Sequence, residues 1–152
     1  MTTTNDANEE WRDHLIETSD GIRRVIEGTR RIAVLGIKQE YDRPAYYVPE
    51  YAMQAGYEIV PVPVFYPDAT RMLGQPVYRT VSAIAGNIDM VSVFRRPNDI
   101  PPHVDDIIAK KPKSVWFQLG IRNDAAAERL ARAGIDVVQD RCLMVELKRL
   151  GK

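Results

Sequence analysis

The chain has 152 residues, of which 45% are hydrophobic and 28% are charged, as expected for one globular domain. Basic and acidic residues number 21 each, and this balance argues against nucleic acid or an anionic membrane as the partner. No apolar run reaches the roughly 20 residues of a membrane-spanning helix, and we expect no signal peptide at the polar N-terminus. The single cysteine, Cys142, excludes an internal disulfide, and with His14 and His103 it forms no zinc motif. These features predict a cytoplasmic protein without a metal site.

The first part of the chain is predicted to be an extension of the domain. Residues 1–18 are interpreted as a polar and helical extension, with residues 1–10 frayed, and residues 19–152 as one domain. Apolar side chains recur at helical spacing from Trp11 to Glu27, with an interruption near Ser19. The pattern predicts an extra N-terminal helix that is either broken or divided in two, the second part capped near Ser19.

The rest of the chain alternates between apolar runs and amphipathic segments. Strands are predicted at residues 31–35, 57–62, 89–94, 113–118 and 135–139. Helices are predicted at residues 44–54, 97–111, 123–133 and 141–150, with one helical turn at 80–85. Prolines at positions 61, 63 and 67 indicate that residues 61–74 form a structured loop rather than a helix.

Strands that are apolar throughout and separated by helices indicate an α/β fold with a parallel sheet covered on both faces. Right-handed crossovers then predict one doubly wound, five-stranded sheet with strand order 3-2-1-4-5. Ligands of such sheets bind outside the carboxyl ends of the strands, near the point where the strand order reverses. The residues that follow the five strands are therefore the candidates for a binding site.

The loop after the first strand does not have the dinucleotide-binding pattern. That pattern requires G-x-G-x-x-G after the first strand and an acidic residue at the end of the second. Here Gly36 is the only glycine of the loop, and the second strand ends in Val62 and Pro63. Instead, Lys38 and Arg43 flank the approach to a helix N-terminus, where backbone N–H groups and two cations favour a diphosphate. The alternative is that both are solvated loop charges.

The loops after the other strands offer further candidates, each with a structural alternative. Prolines and Phe65 after the second strand present an apolar wall for an adenine ring, or a loop stiffened for stability. Arg95 and Arg96 end a buried strand, where one can face a ligand while the other pairs with an acid. Gln118 offers an amide beside Gly120, whose backbone a ligand can approach closely; the alternative for Gln118 is a hydrogen bond to a neighbouring loop.

Together, these segments resemble the small CoA-binding proteins of the YccU-like type, whose domain is similar to the N-terminal domain of the succinyl-CoA synthetase α subunit. The resemblance covers roughly residues 20–149. It rests on RIAVLGI (31–37), DRPAYYV (42–48), GYEIVPV (56–62), LGQPVY (73–78), DMVSVFRRP (89–97), VWFQLGI (115–121) and AGIDVVQDRC (133–142). The chain departs from the family in having Lys38 at a usual serine position and Val62-Pro63-Val64 where V-N-P is usual.

The resemblance implies a Rossmann-like fold that binds coenzyme A. The diphosphate region would lie at Gly36, Ile37, Lys38 and Arg43, and the adenine at Val62 and Pro63. The residues implied along the pantetheine path are Phe94, Arg95, Pro97, Gln118 and Gly120.

No constellation of catalytic residues is evident in the sequence. Cys142 is interpreted either as a small core residue or as a thiol activated near a helix N-terminus. The chain lacks the phosphohistidine loop of the synthetase, which argues against ligase chemistry by this polypeptide alone. Three hypotheses follow: a non-catalytic CoA or acyl-CoA carrier, sensor or regulatory module; the CoA-binding subunit of a multi-chain acyl-CoA synthetase; and an NAD-type redox sensor. A homodimer is compatible with the apolar residues of the last helix.

Overall fold

A computed structural model describes residues 9–152 as an α/β domain built on a parallel sheet. The described part begins with a 3-10 turn, Glu10–His14, and continues in the order helix, strand, helix, four strands, helix, strand, helix, strand and helix. The strands are β1 (Arg31–Leu35), β2 (Glu58–Val62), β3 (Arg71–Met72), β4 (Gln75–Pro76), β5 (Met90–Val93), β6 (Ser114–Phe117) and β7 (Asp136–Val138). The helices are α1 (Ser19–Glu27), α2 (Pro44–Gln54), α3 (Val104–Lys110), α4 (Asp124–Arg132) and α5 (Leu143–Arg149).

The main sheet has five parallel strands in the order β2-β1-β5-β6-β7, which confirms the doubly wound parallel fold. Counted along the chain, the order is 2-1-3-4-5. The third strand therefore lies beside β1, on the side away from β2, whereas the order 3-2-1-4-5 expected from the sequence puts it beside β2. The reason is the connection from β2 to β5, which crosses over β1 and packs Val81, Ile84 and Ile88 against the sheet.

The two faces of the sheet carry separate cores. Ile32 and Val34 of β1 belong to one core cluster with residues of α1, α2 and α5, while Ala33 and Leu35 belong to the other with residues of α3 and α4. All four side chains are at most 3% exposed. A central strand that is buried on both faces must be apolar at successive positions, which is why the sequence shows a continuous run there.

Strand β2 lies at the edge of the sheet and tolerates Pro61 because the backbone groups of this residue point away from the neighbouring strand β1. The Pro61 carbonyl accepts a hydrogen bond from the Tyr78 N–H at 3.0 Å, on the side away from β1. The missing N–H of Pro61 therefore costs no bond of the parallel ladder. The β3–β4 hairpin beyond it interrupts the predicted 61–74 loop.

At the opposite edge, the N-terminal segment pairs with β7. The Ile16 N–H donates to the Val137 carbonyl at 2.9 Å, and the His14 ring lies 2.7 Å from the Asp136 carboxylate. The division of the N-terminal helix into two parts is confirmed, and the cap of α1 is the hydroxyl of Thr18. The predicted fraying of residues 1–10 lies mostly outside the described residues.

Two predicted helical segments are shorter in the structure. Residues 97–111 form the 3-10 turns Pro97–Asp99 and Pro101–His103 before α3 begins, because the prolines at positions 101 and 102 lack the N–H groups of a regular α-helix. Residues 80–85 form a hydrogen-bonded turn instead of a helix, in which the Asp106 carboxylate accepts the N–H groups of Val81 and Ser82. Within residues 9–152, no helix has the length and apolarity needed to cross a membrane.

Candidate functional site

The edge of the sheet at the carboxyl ends of β1 and β5 is the candidate site. From β1 the chain passes to α2 on one face of the sheet, whereas from β5 it passes to α3 on the other. The loops after these two neighbouring strands therefore diverge, which makes the space between them the switch point of the sheet. We call it the switch crevice and define it by residues 36–43 and 94–97, flanked by the loops after β2 and β6.

Gly36 brings the two sides of the switch crevice close together. Its φ of +85° lies in the left-handed region, and its N–H donates to the Val62 carbonyl at 2.9 Å. A Cβ atom at this position would stand 2.4 Å from the carbonyl oxygen of Phe94. Only glycine allows this approach of the β1 and β5 ends without a shift of backbone.

The loop that follows uses two of its backbone donors internally. The Lys38 N–H donates to the Ala45 carbonyl at 3.2 Å. This carbonyl would normally accept the N–H of residue 49, but that residue is proline, so the loop supplies the missing donor. The Gln39 N–H lies 3.2 Å from a carboxylate oxygen of Glu40 and 3.3 Å from the Tyr66 hydroxyl.

The two predicted cations of this loop differ in their surroundings. Lys38 is half-buried and Ile37 beside it is buried, whereas Arg43 is exposed at the N-cap of α2. The Arg43 side chain does not cap the helix, and its charge acts on Tyr66. Both cationic residues therefore belong to the loop after β1, which forms one side of the switch crevice.

Tyr66 connects the loops after β1 and β2. Its hydroxyl donates to the Glu40 carboxylate at 2.5 Å, and this bond is the largest cause of the lowered pKa of Glu40. Tyr66 itself has a positive φ of 61°. Arg79 holds the backbone around it by donating, at 2.7–3.1 Å, to the carbonyls of Phe65, Tyr66, Pro67 and Ala69.

The loop after β2 presents only part of the predicted apolar wall. Val62 and Pro63 are buried, so their side chains belong to the support of the loop. Val64 and Phe65 are 37% and 57% exposed and stand at the rim of the switch crevice. The guanidinium of Arg95 lies over the Phe65 ring, with its carbon 6.0 Å from the ring centroid.

Arg95 is the most unusual polar group of the switch crevice. Its side chain is 17% exposed, and its Nε atom is buried without a hydrogen-bond partner among the described residues. The nearest acid in an ion pair with it is Asp99, at 3.8 Å. Asp99 is also bound by Arg96 at 3.0 Å, and the Arg96 side chain is 88% exposed. Arg95 is therefore largely buried and has a donor that is unpaired within residues 9–152, whereas Arg96 lies on the surface.

Arg95 also affects His103. Burial lowers the pKa of His103 most, and the positive charge of Arg95 lowers it further. The carboxylates of Asp106 and Asp99 act in the opposite direction. The pKa of His103 therefore responds to a change of charge near Arg95.

Gln118 and Pro97 have internal partners. The Gln118 side chain is buried: its Nε2 donates to the Ser92 hydroxyl at 2.9 Å, and its Oε1 accepts the Leu143 N–H at 3.0 Å. The Pro97 carbonyl accepts the side-chain N–H of Asn123 at 2.9 Å. These bonds fix the ends of β5 and β6 relative to each other.

Phe94 and Gly120 have more open surroundings. The Phe94 side chain is half-buried, and its N–H donates to the Leu35 carbonyl at 2.9 Å. Gly120 is exposed with a φ of +81°, and its N–H donates to the Asp140 carboxylate at 2.7 Å. Nothing lies within 4 Å of the position of a Cβ at Gly120, so this backbone is open to approach.

Four residues that hold the loops of the site together were not predicted from the sequence as site residues: Glu40, Tyr66, Arg79 and Asn123. Their roles depend on bonds between loops that are distant along the chain, such as Arg79 to the carbonyls 10 to 14 positions earlier. A cavity of about 630 Å³ at the β7 edge, which reaches Leu119, Arg122 and Cys142, lies outside the switch crevice. Among residues 9–152, no group of three or more His, Cys, Asp or Glu side chains is arranged to hold a metal ion.

The parallel sheet and its switch crevice are typical of α/β proteins that bind ligands at the strand ends. Residues 30–148 match a family model described as CoA binding domain, and the chain belongs to this family. The resemblance to CoA-binding proteins drawn from the sequence motifs is thereby confirmed.

The chain is similar to proteins from several organisms. It is 32% identical over 124 residues to the uncharacterized protein YneT of Bacillus subtilis (strain 168), which covers 82% of this chain and 90% of that protein. Cell-free ID.343 from Thermus thermophilus is 36% identical, with a TM-score of 0.81 over 88% of this chain and 99% of that chain. The dinucleotide forming acetyl-coenzyme A synthetase 1 of Ca. Korarchaeum cryptofilum shares the fold, with a TM-score of 0.61 and 18% identity over 70% of this chain and 25% of that chain.

Proposed function

We propose that the protein binds coenzyme A or an acyl-CoA in the switch crevice and acts in the cytoplasm as a non-catalytic carrier, sensor or regulatory module. The observation that carries this proposal is the match of residues 30–148 to the CoA-binding domain family. The position of the crevice at the switch point of the sheet supports it, because ligands of doubly wound sheets bind there.

The residues of the switch crevice suit the chemistry of coenzyme A. Its phosphates are anionic and its pantetheine arm carries amide oxygens, all of which accept hydrogen bonds. Arg95 offers a buried Nε donor without a partner among residues 9–152, and the lack of a Cβ at Gly36 keeps the backbone of β1 and β5 close. Lys38 and Arg43 add two positive charges on the β1 side.

The assignment of residues to parts of the ligand follows the family resemblance. Gly36, Ile37, Lys38 and Arg43 are proposed for the diphosphate, and the backbone at Val62 and Pro63 for the adenine. Phe94, Arg95, Pro97, Gln118 and Gly120 are proposed along the pantetheine arm. Because the amide of Gln118 is bonded at both ends, its part in this assignment is to hold the strand ends in place.

A second candidate is the CoA-binding subunit of a multi-chain acyl-CoA synthetase. The observation that favours it is the exposure of large apolar side chains on the loops around the switch crevice: Tyr41 is 82% exposed, Phe65 57% and Leu119 70%. Such a rim suits contact with a second polypeptide. An NAD-type sensor is the least favoured candidate, because β2 ends at Val62 and is followed by Pro63, without an acid for a ribose diol.

Thermal unfolding in the presence of CoA, acetyl-CoA or NAD tests the proposal. A ligand that binds only the folded protein stabilises it by RT ln(1 + [L]/Kd), about 2.7 kcal/mol at a hundredfold excess over Kd. We expect a raised Tm with CoA or acetyl-CoA and none with NAD. A shift with NAD and none with millimolar CoA would contradict the proposal. A large subunit that co-purifies with the protein would favour the synthetase alternative.

A further inference from the structure

The first loop of the switch crevice contains an anion of its own. Glu40 lies in the segment where the family resemblance puts the diphosphate. Its carboxylate accepts the Gln39 N–H at 3.2 Å and the Tyr66 hydroxyl at 2.5 Å. These hydrogen bonds and the nearby charge of Lys38 lower the pKa of Glu40, so the carboxylate is ionised at neutral pH.

The Glu40 carboxylate thus accepts hydrogen bonds from a backbone N–H and a hydroxyl, which are donors that a phosphate would also use. The Lys38 N–H is bonded to Ala45, so it is not free for a ligand. The next donor along the loop, the Gln39 N–H, is directed at the Glu40 carboxylate and the Tyr66 hydroxyl on the exposed surface of the loop. The positive charge of Lys38 also acts on this carboxylate and contributes to its lowered pKa.

We propose that Glu40 is an internal anion that fills the phosphate position of the β1 loop, and that a phosphorylated ligand binds by displacing it. This inference rests on the proposed function. Two anions that use the same backbone N–H near the same lysine repel each other, so a phosphate that accepts the Gln39 N–H displaces the carboxylate from Gln39 and Tyr66. Glu40 therefore weakens the binding of phosphorylated ligands, and Tyr66 sets how strongly it does so by holding the carboxylate in place.

The test compares three variants by calorimetric titration with CoA. Glu40→Gln removes the charge but keeps the length and shape of the side chain. Asp68→Asn removes one negative charge from an exposed position outside the switch crevice, two residues after Tyr66 in the loop after β2, and is the matched control. Tyr66→Phe keeps the charge but removes the hydroxyl that holds it. Circular dichroism melts verify that each variant folds.

We expect Glu40→Gln to bind CoA roughly tenfold more tightly than the wild type, Asp68→Asn to change Kd by less than about threefold, and Tyr66→Phe to fall between them. Pantetheine, which has no phosphate, should show no gain with Glu40→Gln. A Glu40→Gln affinity that is unchanged or weaker overturns the inference, and so does an equal gain for Asp68→Asn, since the net charge of the protein would then explain the effect. Equal gains for CoA and pantetheine overturn it as well.

Failure of the proposed function gives a different result. If neither the wild type nor any folded variant binds CoA, the proposed function and the inference are both overturned. If the wild type binds CoA and the Glu40→Gln gain is absent, the proposed function stands and only the inference is overturned.

Discussion

Arg95 allows a test in which ligand affinity and protein stability change in opposite directions. Its Nε is buried without a partner among the described residues, and an unsatisfied buried donor costs roughly 1–3 kcal/mol. If a ligand oxygen accepts this hydrogen bond, the unpaired donor destabilises the free protein, and binding of the ligand removes the destabilisation. The substitution to examine is Arg95→Met, which keeps an apolar stem but removes every donor.

The magnitude follows from the number of donors lost. One hydrogen bond from a charged donor contributes roughly 1.5–3 kcal/mol, which corresponds to a rise in Kd of roughly 10- to 150-fold. In the free protein, the loss of the orphan donor should leave the free energy of unfolding unchanged or raise it by about 1 kcal/mol. The loss of the Phe65 contact at 6.0 Å offsets only a small part of this gain.

Calorimetric titration with CoA and urea unfolding measure the two effects. Arg96→Met is the matched control, because Arg96 also pairs with Asp99 but is 88% exposed. We expect Arg96→Met to leave both affinity and stability within a small margin of the wild type. An Arg95→Met variant that binds CoA as well as the wild type, yet loses more than 1 kcal/mol of stability, would show that Arg95 has a structural role and would refute the reasoning.

Three further predictions concern the support of the switch crevice. Gly36→Ala should destabilise the protein by more than about 2 kcal/mol in urea unfolding, because its Cβ would meet the Phe94 carbonyl at a positive φ. Gln118→Leu should cost roughly 2–3 kcal/mol in the same assay, since two buried groups lose their partner. The pKa of His103 is lowered in the folded protein, so its contribution to stability is fully present above about pH 6.5 and is lost as the pH falls through the lowered pKa. A ligand phosphate at Arg95 should raise this pKa, as NMR titration of the imidazole will show.

Each of these predictions has a result that contradicts it. A Gly36→Ala protein as stable as the wild type would mean that the ends of β1 and β5 separate freely. Equal stability of Gln118→Leu would place its amide in solvent instead of between strands. A His103 variant, His103→Gln, with the same pH dependence of stability as the wild type would remove His103 as the titrating group.

Local sequence was sufficient to predict elements whose pattern of apolar residues, prolines or glycines reflects their immediate surroundings. The run from Ile32 to Leu35 is apolar at every position because each face of β1 meets its own core, and it was predicted at its observed bounds. Helix α2 likewise begins at Pro44, where a missing N–H costs little. The predicted importance of Gly36 rested on its position after a strand, and its positive φ agrees with that reading.

Features that depend on distant segments could not be read in this way. The position of β5 beside β1 depends on which face of the sheet residues 63–89 cross. The sequence of that segment does not specify the face. The bonds of Arg79 and the two-sided bonding of Gln118 depend on how the loops meet in space. The prolines at 101 and 102 were visible, but their consequence, a pair of 3-10 turns before α3, depends on the neighbouring Pro97 turn.

Native mass spectrometry of the freshly purified protein tests the central proposal most directly. We predict a bound mass equal to coenzyme A or to an acyl-CoA in one-to-one ratio, lost on denaturation, with the excess mass identifying the acyl group. The same protein should rebind added CoA after the ligand is removed. A protein that carries no such mass and takes up none when mixed with excess CoA, while it takes up NAD, would contradict the account.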